Sequence, residues 1–174
     1  MGNNFFIYLQ HLEMLAFFSG YPLVCYLLRF ATRNTSFKNG KGTAIVSILP
    51  LAYALVGTLF LGLQLNNIYP DFTLENLNRR IQQPVLLIWG LLSLVFWIPA
   101  VSKRQLLSIL HSLVFFFLIV KDLFFYLTGQ IRDPDIIKND MRVYTVSIFL
   151  NLAAATCIFL FSYLLRFRKK YPGS

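Results

Sequence analysis

Charge is scarce in this sequence, and its scarcity excludes a soluble fold of ordinary composition. Only 13% of the 174 residues are charged, whereas 57% are hydrophobic. Soluble domains usually carry about 25% charged residues. A soluble domain of this size could not bury so much apolar surface, which includes 18 phenylalanines, in one core. We therefore expect lipid to surround most of the chain.

Cysteine and histidine are equally scarce, which limits the chemistry that the chain can support. Cys25 and Cys157 lie in apolar runs more than 130 positions apart, without the spacing of a metal site or a disulfide framework. His11 and His111 are expected at depths about 11 Å apart, whereas a haem takes both axial ligands from one level. No catalytic triad is apparent at one membrane level. We predict no cofactor and no metal, and we do not favour an enzyme.

Five apolar runs approach the length of a membrane span. A helix needs roughly 20 apolar residues to cross the hydrocarbon core, so five spans with short connectors account for nearly the whole chain. The predicted fold class is an all-α, polytopic integral membrane bundle of five transmembrane helices, a single domain over residues 1–174. The predicted helices cover residues 5–30, 44–65, 84–101, 106–128 and 143–165.

Local sequence signals refine these helices and their connectors. Gly20 and Pro22 predict an interruption near the middle of the first helix. Residues 73–82 can form a short interfacial helix, and the tight basic turn at 102–105 predicts that helices three and four are antiparallel neighbours. Residues 129–142 are predicted to form a charged loop, whose acidic residues we interpret as solvated.

Basic residues are concentrated in alternate connectors, which indicates the orientation of the chain. One side of the predicted bundle holds ten basic residues and no acidic ones, and the other side holds five of each. Cytoplasmic connectors carry the excess of Lys and Arg, so we predict an outside N-terminus and an inside C-terminus in the plasma or inner membrane. This distribution explains the net charge of +9, so we predict no nucleic-acid partner. The ten residues are Arg29, Arg33, Lys38, Lys41, Lys103, Arg104, Arg166, Arg168, Lys169 and Lys170.

Four ionisable side chains are predicted to form an intramembrane polar cluster. At 1.5 Å per residue, His11 and Glu13 lie about 10–13 Å from the outer end of the first helix. Lys121 and Asp122 lie about 9–11 Å from the outer end of the fourth, by the same rise. Charges inside a membrane are expensive and often functional, so this shared depth makes the cluster the main candidate site.

The pairing within this cluster can be predicted from helix geometry. His11 and Glu13 lie some 200° apart and face different neighbours, whereas Lys121 and Asp122 lie about 100° apart and are not expected to pair with each other. We predict that Glu13 pairs with Lys121. This pair either specifies the fold or belongs to an ion relay or a polar pocket. Asp122 is then expected to face a polar residue from the neighbouring outer helix ends, namely Gln64, Asn66, Arg142 or Asn151.

Small and polar residues recur every four positions on two of the predicted helices. Such stripes permit close approach of helices in lipid, and Asn or Ser can hydrogen-bond across the contact. We interpret them as packing faces, either within the chain or towards a partner. The residues are Ala54, Thr58 and Gly62 on helix two, and Ser147, Asn151 and Ala155 on helix five.

Three functions are compatible with this sequence. The first is a non-catalytic membrane subunit or scaffold, because short connectors leave little surface for catalysis and the small-residue faces suit helix association. The second is a component that translocates a proton, an ion or a small solute through Glu13, Lys121 and Asp122. A membrane-embedded enzyme acting on lipid is the third. The expected partners are membrane lipids and either another membrane protein or further copies of the chain.

Overall fold

The computed structural model describes residues 2–34, 46–69, 83–129 and 134–170. Every regular element in these ranges is a helix, which confirms the all-α prediction for this part of the chain. A 3₁₀ segment, Leu92–Trp97, interrupts the third apolar run. The α-helices are α1 (Gly2–Phe18), α2 (Tyr21–Asn34), α3 (Leu49–Ile68), α4 (Pro84–Leu91), α5 (Pro99–Ser102), α6 (Gln105–Leu127) and α7 (Pro134–Lys170).

Four of the described stretches are long and apolar enough to cross a membrane. A fifth, Pro84–Trp97, is apolar but shorter. This pattern makes the chain a membrane-embedded helical protein. The four stretches are Tyr8–Thr32, Leu49–Ile68, Gln105–Leu127 and Asp135–Leu165.

The first apolar run is broken into α1 and α2, as Gly20 and Pro22 predict. Pro22 has no N–H, so the helical ladder cannot continue through it. The N–H of Gly20 instead donates to Ser147 Oγ at 2.8 Å. A Cβ atom at Gly20 would lie 2.5 Å from the backbone nitrogen of Ile148, so only glycine lets α7 approach so closely.

The third apolar run is not the continuous helix predicted over residues 84–101. It ends as an α-helix at Leu91, passes through the 3₁₀ segment, and becomes extended at Ile98 (φ −74°, ψ 122°) before α5 begins at Pro99. The ring of a proline disfavours helical backbone in the residue before it, which explains the extended Ile98. The third run nevertheless lies next to α6, as the hairpin prediction requires, because Trp89 Nε1 donates to the carbonyl oxygen of His111 and the Trp89 carbonyl oxygen accepts from His111 Nε2.

The last helix begins earlier than predicted, and the prediction of a loop at 129–142 is wrong from residue 134 onwards. Pro134 occupies the first helical position and Asp135 lies in the first turn, both of which suit a helix N-terminus. At 1.5 Å per residue, α7 is about 55 Å long, against a hydrocarbon core of about 30 Å. The interfacial helix predicted at 73–82 lies outside the described residues.

An aromatic layer forms the centre of the bundle. The ring of Phe18 on α1 stacks on Phe115 of α6 at 4.8 Å and contacts Phe60 of α3 at 5.1 Å, edge to face. Tyr53, also on α3, lies 5.7 Å from Phe18. All four side chains are fully buried. Such aromatic contacts add to the van der Waals packing that holds helices together in lipid.

Candidate functional site

His11, Asp122 and Lys121 meet at one end of the bundle, which we call the Asp122 end. Nε2 of His11 lies 3.3 Å from Oδ2 of Asp122, and Nζ of Lys121 lies 3.5 Å from Oδ1 of the same carboxylate. The prediction that neighbouring Lys121 and Asp122 do not pair is wrong. The lysine side chain is long and flexible, so its Nζ can contact the carboxylate of the next residue. Nζ also lies 5.8 Å from the centre of the Phe125 ring.

Glu13 belongs to a different contact from the one predicted. Its carboxylate accepts hydrogen bonds from Gln64 Nε2 at 3.2 Å and from Asn67 Nδ2 at 3.4 Å. The predicted pair of Glu13 with Lys121 is therefore not formed. Glu13 and His11 lie on different sides of α1, so His11 faces α6 while Glu13 faces α3. Asp122 likewise contacts His11 and Lys121, and in the described part of the chain it forms no hydrogen bond or ion pair with any of its four predicted partners.

Asp140 is the member of this site that the sequence interpretation missed. It is 1% exposed, and neither of its carboxyl oxygens has a hydrogen-bond partner among the described residues. The carboxylate of Asp122 acts on it electrostatically, which places the two acidic groups in one neighbourhood. A signal was available, because Asp140 precedes Ser147 and Asn151 by seven and eleven positions on one helical stripe. Because residues 129–142 were predicted to be a loop, Asp140 was not recognised as part of this helical stripe.

The small and polar stripe of α7 lies against the break between α1 and α2. Ser147 is buried and accepts the hydrogen bond from Gly20. Asn151 Nδ2 donates to the carbonyl oxygens of Phe17 and Ser147, each at 2.8 Å. Ala155 is buried one turn further along. These contacts satisfy backbone groups that the helix break releases, as lipid cannot do.

The corresponding stripe on α3 is divided between core and surface. Ala54 is fully buried, whereas Thr58 and Gly62 are exposed, and Thr58 accepts a hydrogen bond from Trp97 Nε1 at 2.9 Å. The close approach on this helix is instead at Gly57, whose missing Cβ leaves room for Ser93 of the 3₁₀ segment.

A second set of polar contacts surrounds His111, the histidine for which the sequence predicted no partner. Its Nε2 lies 2.8 Å from the carbonyl oxygen of Trp89, which can only accept, so Nε2 carries the proton. Its Nδ1 then accepts from the hydroxyl of Tyr53 at 2.8 Å. The Trp89 ring stacks on the imidazole at 5.0 Å. Both imidazole nitrogens of His111 are thus engaged by hydrogen bonds within the protein.

Two further polar contacts continue from His111 towards the opposite end of the bundle. The hydroxyls of Tyr21 and Ser108 lie 2.8 Å apart, and Arg29 Nη2 donates to Gln105 Oε1 at 2.9 Å. Between these contacts and the Asp122 end, α1, α3 and α6 pack through an apolar layer of buried side chains that includes Met14, Leu15, Phe18, Phe60, Phe115 and Ile119. The polar contacts at the two ends of α1, α3 and α6 are therefore separated by packed apolar side chains, whereas α7 carries the buried Ser147 and Asn151 at that level.

An apolar groove opens between α2, α3 and α7. It encloses a cavity of about 170 Å³. Beyond Leu152 most side chains of α7 up to Leu165 are exposed, so this half of the helix has few neighbours within the chain. We call this surface the α7 groove, and its lining residues are Leu28, Ile48, Leu49, Leu152, Ala155, Thr156 and Phe159.

Neither an ion site nor a known relative identifies the chain. Among the described residues, no group of three or more His, Cys, Asp or Glu side chains is arranged to hold a metal ion. No protein-family model matches the sequence, and no curated protein or solved structure matches it. The helices define its class as a membrane-embedded protein, and we infer its role from the geometry above.

Proposed function

We propose that this chain is a non-catalytic subunit or scaffold that binds a transmembrane helix of another membrane protein in the α7 groove. The observation that carries the proposal is the unequal packing of α7. In its first half, Ser147 and Asn151 hydrogen-bond the backbone at the break between α1 and α2. The half beyond Leu152 borders an open cavity. An unfilled cavity forfeits van der Waals contacts, and a partner helix would restore them.

Five membrane crossings accompany this proposal, with the N-terminus outside and the C-terminus inside. The N–H of Gln83 donates to Gln10 Oε1 at 2.9 Å, and Gln105 at the other end of the hairpin bonds Arg29. Residues 83–105 thus cover the same depth as residues 10–29. Nineteen helical steps correspond to about 28 Å, close to the hydrocarbon thickness of about 30 Å. This match favours a full crossing by the broken third run.

Topology can be tested with single cysteines in a variant that carries Cys25→Ala and Cys157→Ala. Asn66→Cys lies near the end of α3, and Lys103→Cys lies in the turn before α6. Five crossings require that a membrane-impermeant thiol reagent labels the two positions from opposite sides of sealed vesicles. Labelling of both from the same side would mean that the third run enters and leaves the membrane on one side.

Partner binding can be tested by mass measurement after extraction of the chain from its own membrane in mild detergent. Ala155→Phe fills the α7 groove, whereas Ala153→Phe adds the same bulk on the opposite, exposed side of α7. We expect an unrelated membrane protein to copurify with the native chain and with Ala153→Phe, and to be lost with Ala155→Phe. A monomer that carries only lipid, or a multiple of this chain alone, contradicts the proposal.

The second candidate is a component that translocates a proton or another small cation. The observation that favours it is the buried Asp140, whose carboxyl oxygens have no hydrogen-bond partner among the described residues, since ionisable groups inside membranes commonly mark ion pathways. The apolar layer weighs against a continuous path, so transport would require that layer to open. Reconstituted vesicles test this candidate, because flux that is unchanged by Glu13→Gln, Asp122→Asn and Asp140→Asn removes all three carboxylates from any pathway.

A further inference from the structure

The Asp122 end holds an acidic group whose negative charge no described neighbour compensates directly. Asp140 is 1% exposed, and both of its oxygens lack hydrogen-bond partners in the described ranges. The carboxylate of Asp122 adds a like charge to its surroundings. A buried charge that is neither paired nor hydrogen-bonded is far more costly than a neutral polar group. Within the described part of the chain, this buried carboxyl group therefore lacks a cation that compensates its charge.

The charged side chains of the described residues do not supply that cation. Asp122 already shares its carboxylate between Lys121 and His11, and the Lys121 side chain is 52% exposed. On α7 itself, the titratable side chain one turn away is Tyr144. Glu13 faces the amides on α3, a helix with no charged residue. Arg29 of α2 bonds Gln105 at the opposite end. With a neutral imidazole, two carboxylates and one ammonium leave one negative charge.

We propose that Asp140 is a proton-binding site, and that His11, through its contact with Asp122, exchanges this proton with the aqueous phase. A proton adds to a carboxylate oxygen of Asp140, and the resulting neutral carboxyl group removes the uncompensated negative charge. No bond other than O–H forms, and no electrons are transferred. A metal ion would need several ligands, and the described side chains are not arranged to provide them. A proton needs a single lone pair.

His11 is the natural route for exchange because it is 14% exposed and contacts Asp122 directly. Imidazole can take a proton from water at one ring nitrogen and release one from the other, which makes histidine the usual side chain for such transfers. The site binds its proton at one end of the bundle only. It therefore requires neither a path through the apolar layer nor the partner helix proposed for the α7 groove.

Infrared spectroscopy of the purified full-length chain in detergent tests the site, because a protonated carboxyl group has its own C=O stretching band. We expect this band at neutral pH, its loss on titration to high pH, and its loss in Asp140→Asn. Asp135→Asn is the matched control, since Asp135 is exposed on the same helix. If Asp140→Asn does not fold, Asp140→Glu keeps the carboxyl group and must shift the band. A native chain without the band, or a band unaffected by both Asp140 variants, overturns the proposal.

The role of His11 has its own readout in the same experiment. On transfer to heavy water, the Asp140 band shifts as deuterium replaces the proton. We expect His11→Ala to retain the band but to slow this shift at least several-fold. An unchanged exchange rate overturns the assignment of His11 as the exchanging group, while the assignment of Asp140 still depends on the band itself.

Discussion

His11 and Asp122 join the first helix of the chain to α6, with Nε2 of the histidine 3.3 Å from Oδ2 of the aspartate. Both side chains are about 15% exposed, so the contact lies mostly out of water. It brings one side of α1 to α6, while Glu13 attaches the other side to α3. The position of α1 between these two helices therefore depends on two separate polar contacts.

Removing the histidine side of this contact should lower stability modestly. We expect His11→Ala to reduce the free energy of unfolding by about 1 kcal/mol, because polar contacts between membrane helices are worth about that much. Asp122→Asn should act through the same contact, so the two losses should not add in the double variant. Lys121→Ala is the control, since its ion pair is half exposed and such pairs contribute little. Additive losses, measured by unfolding in detergent, would show that the two residues act separately.

A charge exchange between Glu13 and Lys121 should fail to rescue folding. Glu13→Lys removes the acceptor of the hydrogen bonds from Gln64 and Asn67 and places a cation next to these amides. Lys121→Glu replaces the cation that contacts Asp122 with a second carboxyl group. We therefore expect the double variant to fold no better than the poorer single variant, as judged by folded yield in detergent. A yield restored to the native level would indicate that the two side chains pair after all.

Gly57 should tolerate a methyl group far less than Gly62 on the same helix. A Cβ at Gly57 would overlap the side chain of Ser93, whereas nothing lies within 4 Å of a Cβ at Gly62. We expect Gly57→Ala to cost about 1–3 kcal/mol, as overpacking usually does. Gly62→Ala should be neutral or stabilising by up to about 1 kcal/mol. Thermal unfolding in detergent measures both, and Ser93→Gly should restore much of the Gly57→Ala loss. Equal effects at the two glycines would contradict the close approach.

Tyr53→Phe should destabilise the bundle because it removes the donor to His111. The Nδ1 atom of His111 would remain buried without a partner, at a cost of about 1–3 kcal/mol. Tyr26→Phe removes the same hydroxyl from an exposed ring on α2 and should change stability by less than about 0.5 kcal/mol. Comparison of the two unfolding midpoints in one detergent checks this expectation. A Tyr53→Phe variant as stable as Tyr26→Phe would mean that this hydrogen bond contributes nothing.

Local signals were sufficient to predict the helices where the chain itself dictates them. Apolar composition predicted a helical membrane protein, and α6 begins and ends within one residue of its predicted bounds. Gly20 and Pro22 predicted the break between α1 and α2. The sequence also indicated that His11 and Glu13 face different neighbours, because that follows from the rotation of a helix and needs no knowledge of the partner.

The identity of those neighbours was decided by tertiary structure alone. Depth along a helix follows from its rise per residue, so Glu13 and Lys121 could be assigned one level, but no local rule says which helix stands beside which. Asp140 shows the same limit, since only the packing of α7 against the rest of the bundle turns a surface-type residue into a buried one. Secondary structure depends on hydrogen bonds and solvation within a segment, whereas a contact between helices depends on how all the segments fill space together.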